Sequence, residues 1–251
     1  MFVNFSLNQK IIIILLHMAL FATSLNSMQY DYEETFGRDF RWATQFFDKN
    51  REVATLITDN GGEPEVLIPV VFPELVRYSL LRDEMETTAL EIFYVQLGRN
   101  YADFSIGLFQ MKPSFIERLE KEAVVRPLPD NLKAISVFSS SSSPEEVRRI
   151  RVRRLQDLKW QVKYLVCFEQ IIEAIYAQES WASVEDKIKF FAAAYNSGVW
   201  YNKNRIREII NEPVFPFGSD YDGNQFRYSD ISVYYYTEYF NVNKSSSVKL
   251  R

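Results

Sequence analysis

The sequence predicts a mostly α-helical globule, and three observations carry that expectation. Apolar residues recur three or four apart at Phe36, Phe40, Ala43 and Phe47, the spacing that lines one face of a helix. Ser143-Pro144-Glu145-Glu146 combines an N-cap, a first-turn proline and early acids, a strong helix start. The composition, with 20 Phe and 15 Tyr against 8 Gly, suits a packed helical interior.

Taken in order, Lys10 closes a short polar start, and residues 11–21 (IIIILLHMALF) form an apolar run followed by Ala22-Thr23-Ser24. A basic start, an apolar core short for a bilayer and small residues after it predict a signal peptide over 1–27, cut after Ser24 or Ser27. The alternative is an uncleaved N-terminal anchor. No later stretch is long and apolar enough to cross a membrane, so the expected destination is export to the periplasm or cell envelope, with no membrane span after signal removal. Residues 30–50 predict one helix, within an N-terminal helical extension over 28–62 that closes at Gly61-Gly62. Residues 65–78 are densely apolar, with kinks expected at Pro69 and Pro73. An amphipathic helix is expected over 82–97, stopped by Gly98. Residues 101–111 read as a loop entering a short helix, and Lys112-Pro113 opens the next helix, through about residue 122. The stretch 126–143, with five serines from Ser139 to Ser143, reads as a surface loop. One long helix follows from residue 144 toward 178 and another over 184–195, while 228–240 fits helix or strand.

Several chemistries drop out early. Losing residues 1–27 removes Lys10 and no acid, which moves the formal net charge from −4 to −5 and argues against a nucleic-acid partner. The single histidine, His17, lies in the signal, so the mature chain has no Ser-His-Asp or Cys-His catalysis and none of the common zinc sites. Cys167 is alone, in an apolar helical stretch that predicts packing rather than reactivity. No metal or cofactor is expected. The remaining chemistry belongs to carboxylates, Tyr, Lys, Ser and Thr.

Among the carboxylates, Glu74 stands out. A general acid must stay protonated near neutral pH, which an ordinary carboxyl does not. Apolar walls raise a glutamate pKa. Val70, Val71, Phe72 and Leu75 surround Glu74 in sequence, whereas Glu84, Glu86 and Glu91 sit on a charged helix face. A glutamate after Pro73 is also an ordinary first-turn helix residue.

Two short segments then read together: Gly107-Leu108-Phe109-Gln110-Met111-Lys112-Pro113 and Ala192-Ala193-Ala194-Tyr195-Asn196-Ser197-Gly198. In this order, with helical sequence between, they resemble the lytic transglycosylase and goose-type lysozyme group of the lysozyme-like superfamily, whose pattern is G-L-M-Q-x-x-P followed by A-A-Y-N-x-G. The resemblance runs from about Val66 to Gly198. It implies a lysozyme-like helical domain over 63–251 with an inserted helix and loop, acting on the MurNAc–GlcNAc bond of peptidoglycan glycan strands. It also implies Glu74 as the single catalytic acid and base, with Ser105, Gln110 and Asn196 lining the glycan groove. Tyr195 would orient the carboxyl or pack the core, and one of Tyr234, Tyr235 and Tyr236 would approach Glu74. The chain departs from the pattern where Leu75 replaces the usual serine, where Pro73 precedes the glutamate, in the 33 residues from Glu74 to Gly107, room for the extra helix, and in the serine loop that lengthens the region between the motifs.

A hydrolytic route of the inverting kind needs a second carboxylate, for which Asp103 is the candidate, with loop capping as its other reading. The basic run Arg148, Arg149, Arg151, Arg153, Arg154 and Lys159 reads as a solvated helix face, with steering of anionic stem peptides as the alternative. For the whole chain the alternative to an enzyme is a non-catalytic peptidoglycan-binding or envelope scaffold protein.

Overall fold

The structure is a computed structural model, and it describes residues 30–81, 87–197 and 202–242. The expected signal segment over 1–27 lies outside the described residues. Two compact units divide at Thr35/Phe36, and of the first only residues 30–35 are described.

The fold is mostly α, as the sequence predicts, with one two-stranded sheet. The expected helix over 30–50 is two helices, α1 (Tyr32–Phe36) and α2 (Arg38–Lys49). Gly37 separates them at φ +52°, a conformation that breaks a helix and suits glycine. Phe40, Ala43 and Phe47 face inward on α2. After α3 (Glu52–Asp59), Gly61 turns the chain at φ +85° into α4 (Pro64–Leu81).

Helix α4 is the axis of the domain. Nearly every residue from Val66 to Val76 is buried, as expected of a helix apolar on all sides. Pro69 and Pro73 both lie inside it, so each removes one backbone donor, and packing on all sides compensates for the lost rungs. Around it pack α2 and α3, then α10 (Val184–Ser197) and α12 (Tyr228–Tyr235). Phe40 meets the Phe72 ring at 4.8 Å, and Ser79 donates to buried Asp39 at 2.7 Å. Thus α2 and α3, from the segment read as an extension, belong to the same compact unit as α4.

The other side is built from α5 (Thr87–Leu97), α6 (Pro113–Val125), α8 (Pro144–Gln156) and α9 (Leu158–Ile175). The expected start of α5 at 82–86 lies outside the described residues. Gly98 ends it at φ +86°, its N–H returning to Tyr94 O at 2.8 Å. The expected amphipathic pattern holds only in part, because Ile92, Phe93 and Leu97 are exposed while Tyr94 and Val95 are buried. The single long helix expected from 144 is interrupted at Asp157, whose carboxylate caps α9 through Trp160 N at 3.1 Å. Ser143 caps α8 as predicted, accepting from Glu146 N at 3.2 Å. The serine-rich stretch is partly ordered by α7 (Asp130–Lys133) and a 3-10 turn (Ala134–Ser136), with Leu132 and Ile135 as buried anchors.

The basic run is not simply a solvated face. Arg154 donates to Ile135 O and Val137 O at 2.6 and 3.0 Å, fastening that turn, and Arg151 reaches buried Glu120 at 2.7 Å. Arg149 and Arg153 pair at the surface with Glu146. Cys167 is fully buried, and burial pushes its thiol up to about 12, which keeps it protonated.

After α11 (Lys203–Ile209), strands β1 (Pro213–Phe215) and β2 (Phe226–Arg227) pair antiparallel and deliver the chain to α12. The ambiguity over 228–240 resolves as helix, continued by a π-helical turn at Tyr236–Phe240. Tyr235 stacks on Phe72 at 3.8 Å, an anchor that favours this helix against α4. Among the described residues no helix is long and apolar enough to cross a membrane.

Candidate active site

Glu74 lies in the second half of α4, past Pro73, and is only 3% exposed. Its carboxylate is held by a residue one turn further on: Arg77 Nη1 donates to both oxygens, at 2.8 and 2.7 Å. The same guanidinium uses Nη2 for Asn196 Oδ1 at 3.2 Å and Nε for Pro216 O at 2.8 Å, and lies over the Phe215 ring at 5.0 Å. Arg77 therefore links α4 to the end of α10 and to the segment after β1.

Two influences compete at Glu74. Burial disfavours the charged form and is the larger, so the carboxyl sits above its ordinary value; the charge and hydrogen bonds of Arg77 pull it back, followed by Tyr228 and Lys112. Tyr228, the first residue of α12, donates to Val70 O at 2.9 Å, one turn before Glu74. Thus the late tyrosine beside the glutamate is Tyr228. Tyr234 packs on Phe40 and Tyr235 on Phe72.

The first motif is a tight turn rather than a loop entering a helix. Ile106 and Met111 exchange backbone hydrogen bonds at 3.0 and 3.1 Å, enclosing residues 107–110. Gly107 takes φ +74°, and a Cβ there would meet Leu155 O at 2.2 Å. Gln110 is also left-handed at φ +49°, and its side-chain amide donates back to Gly107 O at 2.8 Å. Buried Gln161, on α9, accepts from Phe109 N at 2.8 Å. The turn is thus tied on both edges, because Tyr195 Oη donates to Phe109 O at 2.7 Å. Tyr195 also packs edge-on against Phe168 at 5.2 Å. Burial keeps its phenol well above the ordinary value, and the neighbouring Glu74 charge acts in the same direction.

A cleft of about 390 Å³ opens over Glu74. Asp103, Ser105, Gln110, Tyr195 and Asn196 all line it together with Glu74, whereas Tyr234, Tyr235 and Tyr236 do not. Lys112 and Arg118 line it as well. Asp103 is exposed and serves the start of α6, accepting from Ser114 N at 2.8 Å and from Ser114 Oγ at 2.7 Å. Gly198, the last motif residue, lies outside the described residues. Among those described, no cluster of three or more His, Cys, Asp or Glu is placed to hold a metal.

Sequence reading missed Arg77, Gln161 and Tyr228. For Arg77 a signal existed, since Glu-x-x-Arg puts the two side chains on one helix face. Gln161 carried none, because its partner Phe109 is 52 residues away. Comparison with protein families, with curated proteins and with solved structures finds no match for this chain.

Proposed function

We propose that this chain is an exported enzyme that cuts the MurNAc–GlcNAc bond of peptidoglycan by a lytic transglycosylase-like route, with Glu74 as acid and then base. The observation that carries the reading is the convergence of Glu74, Gln110 and Asn196, from three distant segments, on one cleft. The site offers a buried carboxyl of raised pKa beside amide and hydroxyl groups suited to sugar hydroxyls.

In this reading the protonated Glu74 gives its proton to the glycosidic oxygen as the bond to C1 breaks. Arg77 then balances the carboxylate left behind, at 2.7–2.8 Å. The carboxylate takes the proton of the sugar's own hydroxyl, whose oxygen closes on C1, and an anhydro sugar forms without water. A water-using inverting route would call on Asp103 about 6.5–9.5 Å from the acid. Both Asp103 oxygens already serve Ser114, which favours the anhydro product.

One observation favours the second reading, a binding or scaffold protein without turnover: Arg77 engages both oxygens of Glu74, an arrangement that also suits a permanent ion pair. Glu74→Gln separates the two. The enzyme reading expects release of soluble fragments from purified sacculi to fall about 10²- to 10⁴-fold in the variant while co-sedimentation with sacculi persists. Co-sedimentation of both proteins with no fragment release from either favours the scaffold.

A further inference from the structure

Beside the Glu74 cleft lies a second, larger one of about 660 Å³. Two of its walls are the segments by which this sequence departs from the family spacing. The end of α5 supplies Leu97 and Gly98, and the serine-rich stretch supplies Ser136, Phe138 and Ser142; faces of α6 and α8 complete it. Arg99 lines both clefts and stands at their junction, its Nε 3.5 Å from Glu117 Oε2.

The charges in this second cleft are unevenly committed. Its acids are already answered: Glu120 accepts from Arg151 at 2.7 Å and from Tyr164 Oη at 3.0 Å, and Glu117 accepts from Tyr94 Oη at 3.0 Å. Its cations keep capacity. Lys121 is exposed and has no hydrogen-bond or ion partner among the described residues. Arg148 spends Nε and Nη2 on Val95 O and Gln96 O, at 2.7 and 3.0 Å, which leaves Nη1 without a hydrogen bond among the described residues. Beside these donors stand apolar shoulders, Leu97 at 52% and Val124 at 69% exposed. A neutral sugar would leave the cations unused. A carboxylate-bearing chain with small apolar side chains would use both features, and the volume is in the range that holds an extended substituent (pockets of about 300–1,000 Å³).

We propose that this second cleft is a subsite for the acidic stem peptide carried by the strand whose glycosidic bond lies at Glu74. The inference rests on the glycan-cleaving reading above and narrows its substrate to peptide-bearing strands. Free carboxylates of the stem meet Lys121 and Arg148, and Arg99 marks the passage from sugar to peptide.

The test compares intact sacculi with glycan strands stripped of their stems by an amidase. Wild-type protein is expected to cut intact material with a KM about tenfold lower, the size of one charge-assisted contact. Lys121→Glu should shrink that preference to about twofold or less, because the rim charge is reversed. Equal KM on the two substrates in the wild type, or an undiminished preference in Lys121→Glu, overturns the subsite. If neither substrate is cut, the glycosidase reading is what has failed, and co-sedimentation then decides the subsite. Retention on intact sacculi well above that on stripped strands, weakened by Lys121→Glu, supports it, and equal retention overturns it.

Discussion

The hydroxyl of Tyr195 donates to the backbone carbonyl of Phe109 at 2.7 Å, so the end of α10 holds the 106–111 turn by its main chain. The two sequence motifs are therefore physically joined, and the residue after the tyrosine, Asn196, is brought to Arg77 and through it to Glu74. Removing this single hydroxyl tests the joint. Tyr195→Phe is expected to cost about 1 kcal/mol and to lower Tm by about 2–4 °C, with faster amide exchange at residues 107–110. Unchanged exchange in the turn would show that Tyr195 only packs.

Gly107→Ala is expected to be far more damaging. The new methyl would collide with the Leu155 carbonyl at 2.2 Å and with Gln161 at 2.7 Å, on a backbone already at φ +74°. Backbone against backbone leaves nothing flexible to yield, so a loss of about 3 kcal/mol or more is expected in urea unfolding. A variant within about 0.5 kcal/mol of wild type would mean that the turn does not dock as described.

The elements that local rules specify were legible. Ser143 as a cap, Gly98 as a stop and the apolar run of α4 each depend on neighbours within a few residues, and each stands where the sequence places it. What local rules underdetermine was misread: Asp157 as a break within a helical pattern, and Gly37 at φ +52° within another. Of the site, Glu74 and the polar groups around it could be named from residue type and resemblance. Their fastening could not be, because Gln161 reaches Phe109 and Tyr228 reaches Val70 only after distant segments pack. The choice among late tyrosines depended on which turn of α12 meets α4, a matter of docking rather than composition.

Arg77 tunes Glu74 and should be visible in a titration. Arg77→Met removes the largest influence lowering that carboxyl, so its pKa should rise further above the ordinary carboxylate range. The acid then stays protonated to higher pH, and in the proposed reaction the alkaline limb of cleavage moves upward. Breaking a buried pair costs about 3–5 kcal/mol, part of which protonation of Glu74 recovers at low pH. Carboxyl-resolved NMR titration of the variant checks the direction, and an unchanged or lowered Glu74 pKa would contradict it.

Stability should decline with rising pH, and Glu169 is the clearest reason. Its carboxyl, 1% exposed, accepts from Glu63 N at 3.2 Å with both oxygens, yet burial raises it to about 8 from 4.5. The folded state therefore holds this proton more tightly than the unfolded chain. Its contribution is complete below pH about 4.5 and is lost as pH rises toward 8, at about 1 kcal/mol per pH unit. Burial raises Glu74 and Glu120 as well, which adds to the same trend. Glu169→Gln should flatten the slope of urea stability between pH 5 and 8; an unaltered slope would assign the proton elsewhere.

In the proposed reaction a protonated Glu74 cuts glycan strands and the sugar's own hydroxyl closes the product. Mass spectrometry of the fragments released from purified sacculi by wild-type protein and by Glu74→Gln measures both parts at once. Fragments lighter by one water than hydrolysed ones are expected from the wild type, and about 100-fold less or none from the variant. Equal release by the two proteins, or fragments that have all taken up water, would contradict it.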